Sequence, residues 1–346
     1  MSDIVLKVDG TLHGGWTQIN IQRSLDMIAD AFELALTDRW SADTQPRPIK
    51  VGPACEILID GELVVSGNIE DLTPAYDAER HSVTVAGRSK LGDLVDGMLA
   101  AKEYKQRSLK QIATDILKPF NINFIVPKNV QADLNEIFKL KRISAGDSAF
   151  EVLNNLCQRR AVRMVSNEKG ELVFTRTGTQ RISTALTLGD NILAASGEFS
   201  QRERFSLYTV NGQTESSLLS AASGSKSAAV SDTHIKRHRP FVNMMDGNIE
   251  IADCKKLAQW ECNTRFGRGE SVVYTVLGWR HADGLWNINT LVPVNDAFMG
   301  INEDRLITEV RFLMDESGQR TELRVMPETA YALVALPDAD DDGGWA

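Results

Sequence analysis

The sequence predicts an α+β protein that is mainly β. Two antiparallel, barrel-like β-blocks are separated by an α/β insert, with a small additional loop-and-helix unit beside the second block. Three observations predict this. Both ends of the chain read as short strands of alternating apolar residues joined by tight turns. Between them the texture changes to helical spacing with capping residues. Finally, "NIEDLTPAYDAERHSVTVAG" and "LITEVRFLMDESGQRTELRVMP" share one form, a strand, a polar acidic turn and a second strand that ends its block. That layout suggests two related β-domains in one chain.

Residues 1–90 form the first block. "FELALTD" places Phe32, Leu34 and Leu36 on one face with period two. "TQPRPI", with Pro46 and Pro48, reads as a loop. "ACEILIDGELVVSGNIEDL" has Asp60-Gly61 between two apolar runs, a hairpin signal. "VTVAGRSKLGDLVD" then passes from strand to helix through Gly87 and Arg88, with Ser89 placed to cap the helix.

Residues 91–178 form the insert. "KLGDLVDGMLAAKEY" puts Leu91, Leu94, Val95, Met98 and Leu99 on one helical stripe. "RSLKQIATDILKPF" has Ser108 and Gln111 at capping-box positions and Pro119 at the stop, and Ser148 with Glu151 repeats the device. "INFIV" reads as a strand and "AVRMVSNEKGELVFTR" as a hairpin.

Residues 179–214 and 270–330 supply the second block, and residues 215–269 a loop plus helix. Glu215 to Ser231 is rich in Ser, Ala and Gly and reads as a flexible linker open to proteolysis. "EIADCKKLAQWECNTRFGRG" is a helix that Gly267 and Gly269 should stop. Residues 331–346 form an acidic tail with Asp338, Asp340, Asp341, Asp342 and Trp345.

Composition narrows the function. A chain of 346 residues, 42% hydrophobic and 25% charged, has room for two to four ordinary globular domains. No apolar run reaches the ~20 residues of a membrane span, and "MSDIVLKVDG" lacks a signal-peptide core, so folding in a cytoplasm is expected. Cys55, Cys157, Cys254 and Cys262 are too scattered for a disulfide framework and read as small buried hydrophobes. The net charge of -9 argues against gripping nucleic acid, whose affinity comes largely from phosphate neutralisation.

The motifs that could carry chemistry are incomplete. Gly87 and Gly92 make neither a P-loop nor a dinucleotide fingerprint, and "GSKS" at Gly224 to Ser227 lacks the upstream glycine. In "SDTHIKRHRP", His234 and His238 have i, i+4 spacing near Asp232, but Ile235 stands where a zincin helix needs Glu. A metal- or carboxylate-dependent hydrolase acting on the cell envelope is therefore the rival reading. Its test is bound zinc lost in a His234→Ala variant. Trp260, Trp279 and Trp286 suit either a core or an oligomer interface.

"VTVAGRS", "AQWECNTRFGRGESVVYTVLGW", "GLWNINTLVPVND" and "LITEVRFLMDESGQRTELRV" together resemble the tail hub proteins of contractile-tailed phages. That class includes the late-control protein D group, the hub portion of VgrG spike proteins and the baseplate hubs of Mu and Mu-like prophages. The likeness covers nearly the whole chain. It rests most on Gln259-Trp260-Glu261 and on Gly278-Trp279 with Trp286, and less on Gly87-Arg88. The resemblance implies a non-enzymatic homotrimer without cofactors. Two similar barrels per chain would make a pseudo-hexameric ring joining a sixfold tail tube to a threefold central spike. It implies other baseplate proteins as partners, DNA only in transit, assembly in the host cytoplasm and a place in the virion baseplate.

Overall fold

The computed structural model describes residues 3–38, 49–77, 81–178, 180–212, 226–245 and 251–335. The loop at Pro46 and Pro48 lies outside them, as do the first part of the Ser/Ala/Gly-rich segment and the Asp-rich tail with Trp345.

The first block holds β1 (Ile4–Val8), β2 (Thr11–His13), β3 (Gln18–Ser24), β4 (Ala31–Asp38), β5 (Ala54–Ile59), β6 (Glu62–Tyr76) and β7 (His81–Ser89). Period-two burial runs through β1, β3 and β5, as half-buried strands require. The Asp60-Gly61 turn has φ of 51° and 80°, the left-handed pair of a tight hairpin.

The insert holds α1 (Gly92–Asp96), β8 (Lys102–Ser108), α2 (Leu109–Leu117), β9 (Phe124–Ile125), α3 (Gln131–Asn135), β10 (Ile137–Ile143), α4 (Ala149–Gln158), β11 (Arg163–Ser166) and β12 (Leu172–Thr175). Its own core gathers Ile112, Leu117, Leu153, Leu156 and Phe174. The capping box at α2 forms in both directions, and Ser148 Oγ accepts from the Glu151 amide at α4.

Three expectations about this stretch need correction. The stripe ending at Leu99 is not one helix. Gly97 turns extended, and a Cβ there would lie 2.5 Å from the Phe120 ring and 2.6 Å from the Asp93 carbonyl oxygen. Val95 and Met98 are left exposed. "KEYKQRS" is β8, paired with β10; only Tyr104 and Ser108 point inward, so no apolar alternation announces it. Ser89 does not cap α1. Its hydroxyl accepts from the Asp30 amide at 3.1 Å instead.

Next come β13 (Leu186–Thr187), β14 (Ile192–Phe199), β15 (Leu207–Gly212), β16 (Lys226–Ser231), β17 (Pro240–Met245), α5 (Ile251–Arg268), β18 (Glu270–Leu277), β19 (Arg280–His281), β20 (Gly284–Leu285), β21 (Leu291–Asp296), β22 (Ile301–Asp315) and β23 (Gly318–Met326). A short 3-10 turn, Glu328–Tyr331, follows.

The two β-blocks repeat one topology. The first pairs its strands in the order β3-β4-β7-β6-β5-β1, the second in the order β14-β18-β23-β22-β21-β13. Chain order matches place by place, and every pairing has the same sense except the last, where β1 runs antiparallel to β5 but β13 parallel to β21. The long strands β6 and β22 both have 15 residues, and their partners β7 and β23 both have 9. Both hairpins carry a bulge at the same point, between Ile69 and Asp71 and between Ile307 and Glu309. Ile69 exchanges backbone bonds with Gly52 and Pro53, as Ile307 does with Asn289 and Thr290. Antiparallel pairing of β22 with β3 fuses the blocks into one 13-stranded sheet over one shared core.

Strand β15, read with the second block, instead joins β16 and β17 in a separate three-stranded sheet. Tyr208 and Val210 from it pack on Cys254, Leu257, Ala258 and Cys262 of α5. Lys226–Ser231, expected in a flexible linker, is thus a paired strand. Gly267 does not stop α5. It lies inside the helix, where a Cβ would meet the Ala330 amide nitrogen at 2.4 Å, so the glycine permits close packing of the C-terminal turn. The acidic tail accordingly begins later than residue 331: Tyr331 is buried and donates to Asp26 Oδ2 at 2.6 Å.

Candidate assembly surfaces

The residues singled out from the sequence fall at three structural joints. Gly87 sits where β6, β7 and β4 press together; a Cβ there would be 2.1 Å from the Asn68 carbonyl oxygen and 2.6 Å from Phe32. Next to it, Arg88 Nε donates to both Glu70 oxygens at 3.0 and 2.7 Å, and its guanidinium also binds Asp96. Those bonds to Glu70 and then Asp96 raise the Arg88 pKa. The corner is therefore a clasp between β6 and α1, occupied by an ion-pair cluster.

Gln259, Trp260 and Glu261 form the second joint on α5. Gln259 binds Asn263 at 2.9 Å, Trp260 donates to the Ala332 carbonyl, and Glu261 accepts from Arg265 at 2.9 Å and Asn243 at 3.4 Å. The helix is thereby tied to the C-terminal segment and to β17.

The third joint is internal to the second block. Gly278, at φ 72°, turns the chain out of β18, and its carbonyl accepts from Thr321 Oγ1 at 2.6 Å. Trp279 is 2% exposed and donates to the carbonyls of Leu313 and Arg320 at 3.0 and 3.2 Å. Trp286 is also buried, 4.7 Å from the His281 ring. Both tryptophans serve the core of the chain rather than an outer patch.

One junction residue carried no sequence signal. Arg23 on β3 donates to Asn287 Oδ1 at 3.1 Å and to the Ser166 carbonyl at 3.2 Å, with Asp30 at 3.5 Å. It links the first block, the second block and the insert in a buried setting. Burial pushes the Asp30 carboxyl up to about 6, against the opposing pull of Arg23.

The histidine motif has other employment. "SDTHIKRHRP" is a turn, so His234 and His238 share no helical face. The Asp232 carboxylate accepts two bonds from Arg204, at 3.1 and 2.8 Å, and one from the His234 amide at 2.9 Å. Burial alone would raise Asp232; the Arg204 bonds and the His234 amide outweigh it and hold the carboxyl below its ordinary range. Among the described residues, no group of three or more His, Cys, Asp or Glu is placed to hold a metal. All four cysteines are buried free thiols.

What remains open is strand edge. β14 is exposed along nearly its whole length, with Leu193 at 60% and Phe199 at 54%. The second half of β6, from Asp71, is exposed too, and ends at Tyr76 with 84% exposure. Bare strands with large apolar groups, and no Lys on either, are what native proteins avoid unless something covers them.

Known proteins agree in kind. Residues 3–89 match the family of Mu phage baseplate assembly protein GpP-like N-terminal domains. Residues 91–176 match the second domain of the gp44-like baseplate hub proteins, and residues 250–334 the fourth domain of GpP. The baseplate hub protein gp44 of Escherichia phage Mu is 27% identical, the match covering 99% of this chain and 93% of that one. The 43 kDa tail protein of prophage MuSo2 from Shewanella oneidensis is 36% identical, with TM-score 0.85, over 95% of this chain and 99% of that one. A tail protein from Neisseria meningitidis MC58 shares the fold at 22% identity and TM-score 0.79, over 96% and 99% of the two chains.

Proposed function

The chain belongs to the baseplate hub family of Mu-like phages, a structural component of the tail, and we propose that three copies close into a pseudo-hexameric ring around a channel. The observation that carries this is the repeated block. Two blocks of one topology in each chain give a trimer six similar units, so one ring can meet a sixfold tail tube on one side and a threefold spike on the other. Tube, spike and neighbouring baseplate proteins are its partners, and assembly takes place in the host cytoplasm before the virion is complete.

A ring of this kind is heterologous, each contact joining two different patches. The expected mass in solution is about three times the 38.2 kDa of one chain. Light scattering or sedimentation checks it, and a monomer over a wide concentration range would end the ring reading.

The channel passes DNA without holding it. Of the basic loop, Lys236 is bonded to the Thr233 carbonyl at 2.8 Å, and Arg239 to the Arg202 carbonyl at 2.7 Å. These acceptors are neutral and leave both charges in place, but a net charge of -9 per chain disfavours the neutralisation of many phosphates. Duplex binding at physiological salt should be weaker than micromolar. Submicromolar affinity falling steeply with salt, in a gel or filter assay, would contradict the passive conduit.

A further inference from the structure

The repeat makes one junction within the chain, and it leaves the two halves of a second junction bare. Within the chain, the first block's edge strand β3 lies along the second half of the long strand β22. The register runs from Glu309 opposite Ser24 to Met314 opposite Ile19. The corresponding edge strand of the second block is β14, which pairs on one side with β18. The corresponding half of a long strand is Asp71–Tyr76 of β6. β5 ends its pairing with β6 at Asn68, and among the described residues only β7 runs beside the rest.

We propose, on the strength of the ring reading above, that β14 of one copy pairs antiparallel with Asp71–Tyr76 of the next, repeating between chains the β3–β22 contact made within each. Each block then gives its edge strand to the next block's long strand. The contacts alternate within and between chains until the ring closes, and neither edge remains free.

The register follows from the bulges. Matching Asp71 to Glu309 carries β6 onto β22. Running the same match through β7 and β4 on one side, and β23 and β18 on the other, carries β3 onto β14 with Asn20 at Ser196. The contact within the chain then dictates Leu72 opposite Phe199, Thr73 opposite Glu198, Pro74 opposite Gly197, Ala75 opposite Ser196 and Tyr76 opposite Ala195.

Burial supports the correspondence. Ile19, Ile21 and Arg23 on β3 are buried, as are Val310 and Phe312 on β22. Their counterparts Ala195, Gly197 and Phe199, and Leu72 and Pro74, are exposed or half-buried in the single chain. They fall on one face of the proposed ladder, Leu72 beside Phe199. Pro74 lacks an N–H, so this ladder is short by no more than one donor relative to an unbroken pair. Gly197 suits the position opposite it. A Cβ there would already meet the Phe199 ring at 2.8 Å and Met299 Sδ at 3.1 Å.

Thiol cross-linking of the full chain tests the pairing and its register together. The natural cysteines are buried, so introduced thiols report alone. A Thr73→Cys, Glu198→Cys double variant should oxidise to covalent dimers and trimers on a non-reducing gel, while either single variant should not. An Asp71→Cys, Glu198→Cys variant, displaced by two residues, should link far less. If the protein is trimeric by mass but the displaced pair links better, or neither pair links, the strand pairing is wrong while the ring stands. If the protein is monomeric by mass, the ring and the pairing fall together.

Discussion

Gly87→Val should cost the first β-block about 3 kcal/mol or more, at the upper end of overpacking penalties. The reason is what the new side chain would strike. A Cβ at Gly87 lies 2.1 Å from the Asn68 carbonyl oxygen, a backbone atom in the neighbouring strand, and 2.6 Å from Phe32, itself 3% exposed. Across the same pair of strands, a Cβ at Gly67 would lie 1.9 Å from the Arg88 carbonyl oxygen. Neither neighbour can move without opening the β6–β7 ladder, which is registered on both sides of the bulge. Gly278 is the contrast. Its φ of 72° is left-handed, yet nothing lies within 4 Å of a Cβ there, so Gly278→Ala should cost only the backbone strain of about 1 kcal/mol. Denaturant unfolding of both variants checks the difference. Equal midpoints would mean that the strands slide apart to admit a side chain.

Gly87 shows how far sequence reasoning reaches. Its role as a corner of the fold was legible because Gly87 and Gly92 lack the third glycine of a dinucleotide fingerprint. The close approach that makes it necessary was not, because it involves Phe32 and Asn68, distant in sequence. The strands with period-two alternation and the two capping boxes were likewise legible, being local signals. β8 was not. Its seven residues have inward positions only at Tyr104 and Ser108, and its partner β10 follows some thirty residues later. β15 misled for a related reason: strand texture says that a segment is a strand, but not which sheet receives it.

The duplication was visible as a likeness of two hairpins and no more. What made it decisive was register, the bulge at Ile69 matching the bulge at Ile307. No residue identity need survive for two backbones to keep one pairing scheme. The assembly edges were hidden for the same reason. "NILAASGEF" carries no clean apolar alternation, and only the structure places it at the end of a sheet with both faces open. The tryptophans, in contrast, could be assigned to core or interface only by seeing that Trp279 is enclosed.

Asp232→Ala should destabilise the sheet of β15, β16 and β17 and its helix α5 by about 3–5 kcal/mol, the range for breaking a buried ion pair from one side. Asp232 and Arg204 side chains are only 4% and 8% exposed. Removing the carboxylate strands the guanidinium, held 4.6 Å over the Phe266 ring, without a counter-charge. The His234 amide loses its acceptor as well. Replacing both partners, Asp232→Leu with Arg204→Met, should recover much of the loss, since neither charge is then left alone. His234→Ala should be nearly silent, because the aspartate holds that residue mainly by its backbone and the ring is largely exposed. The pH dependence has a definite sign. The Asp232 carboxyl is held below its ordinary range by Arg204, so its contribution is complete above the unfolded carboxylate range. It is lost only as pH falls through the lower folded value. Wild type and Asp232→Ala should therefore converge in stability in acid and diverge on the way to neutrality, as followed by unfolding midpoints at several pH values. A constant gap across the acidic range would show that Arg204 draws its support from Phe266 rather than from the carboxylate.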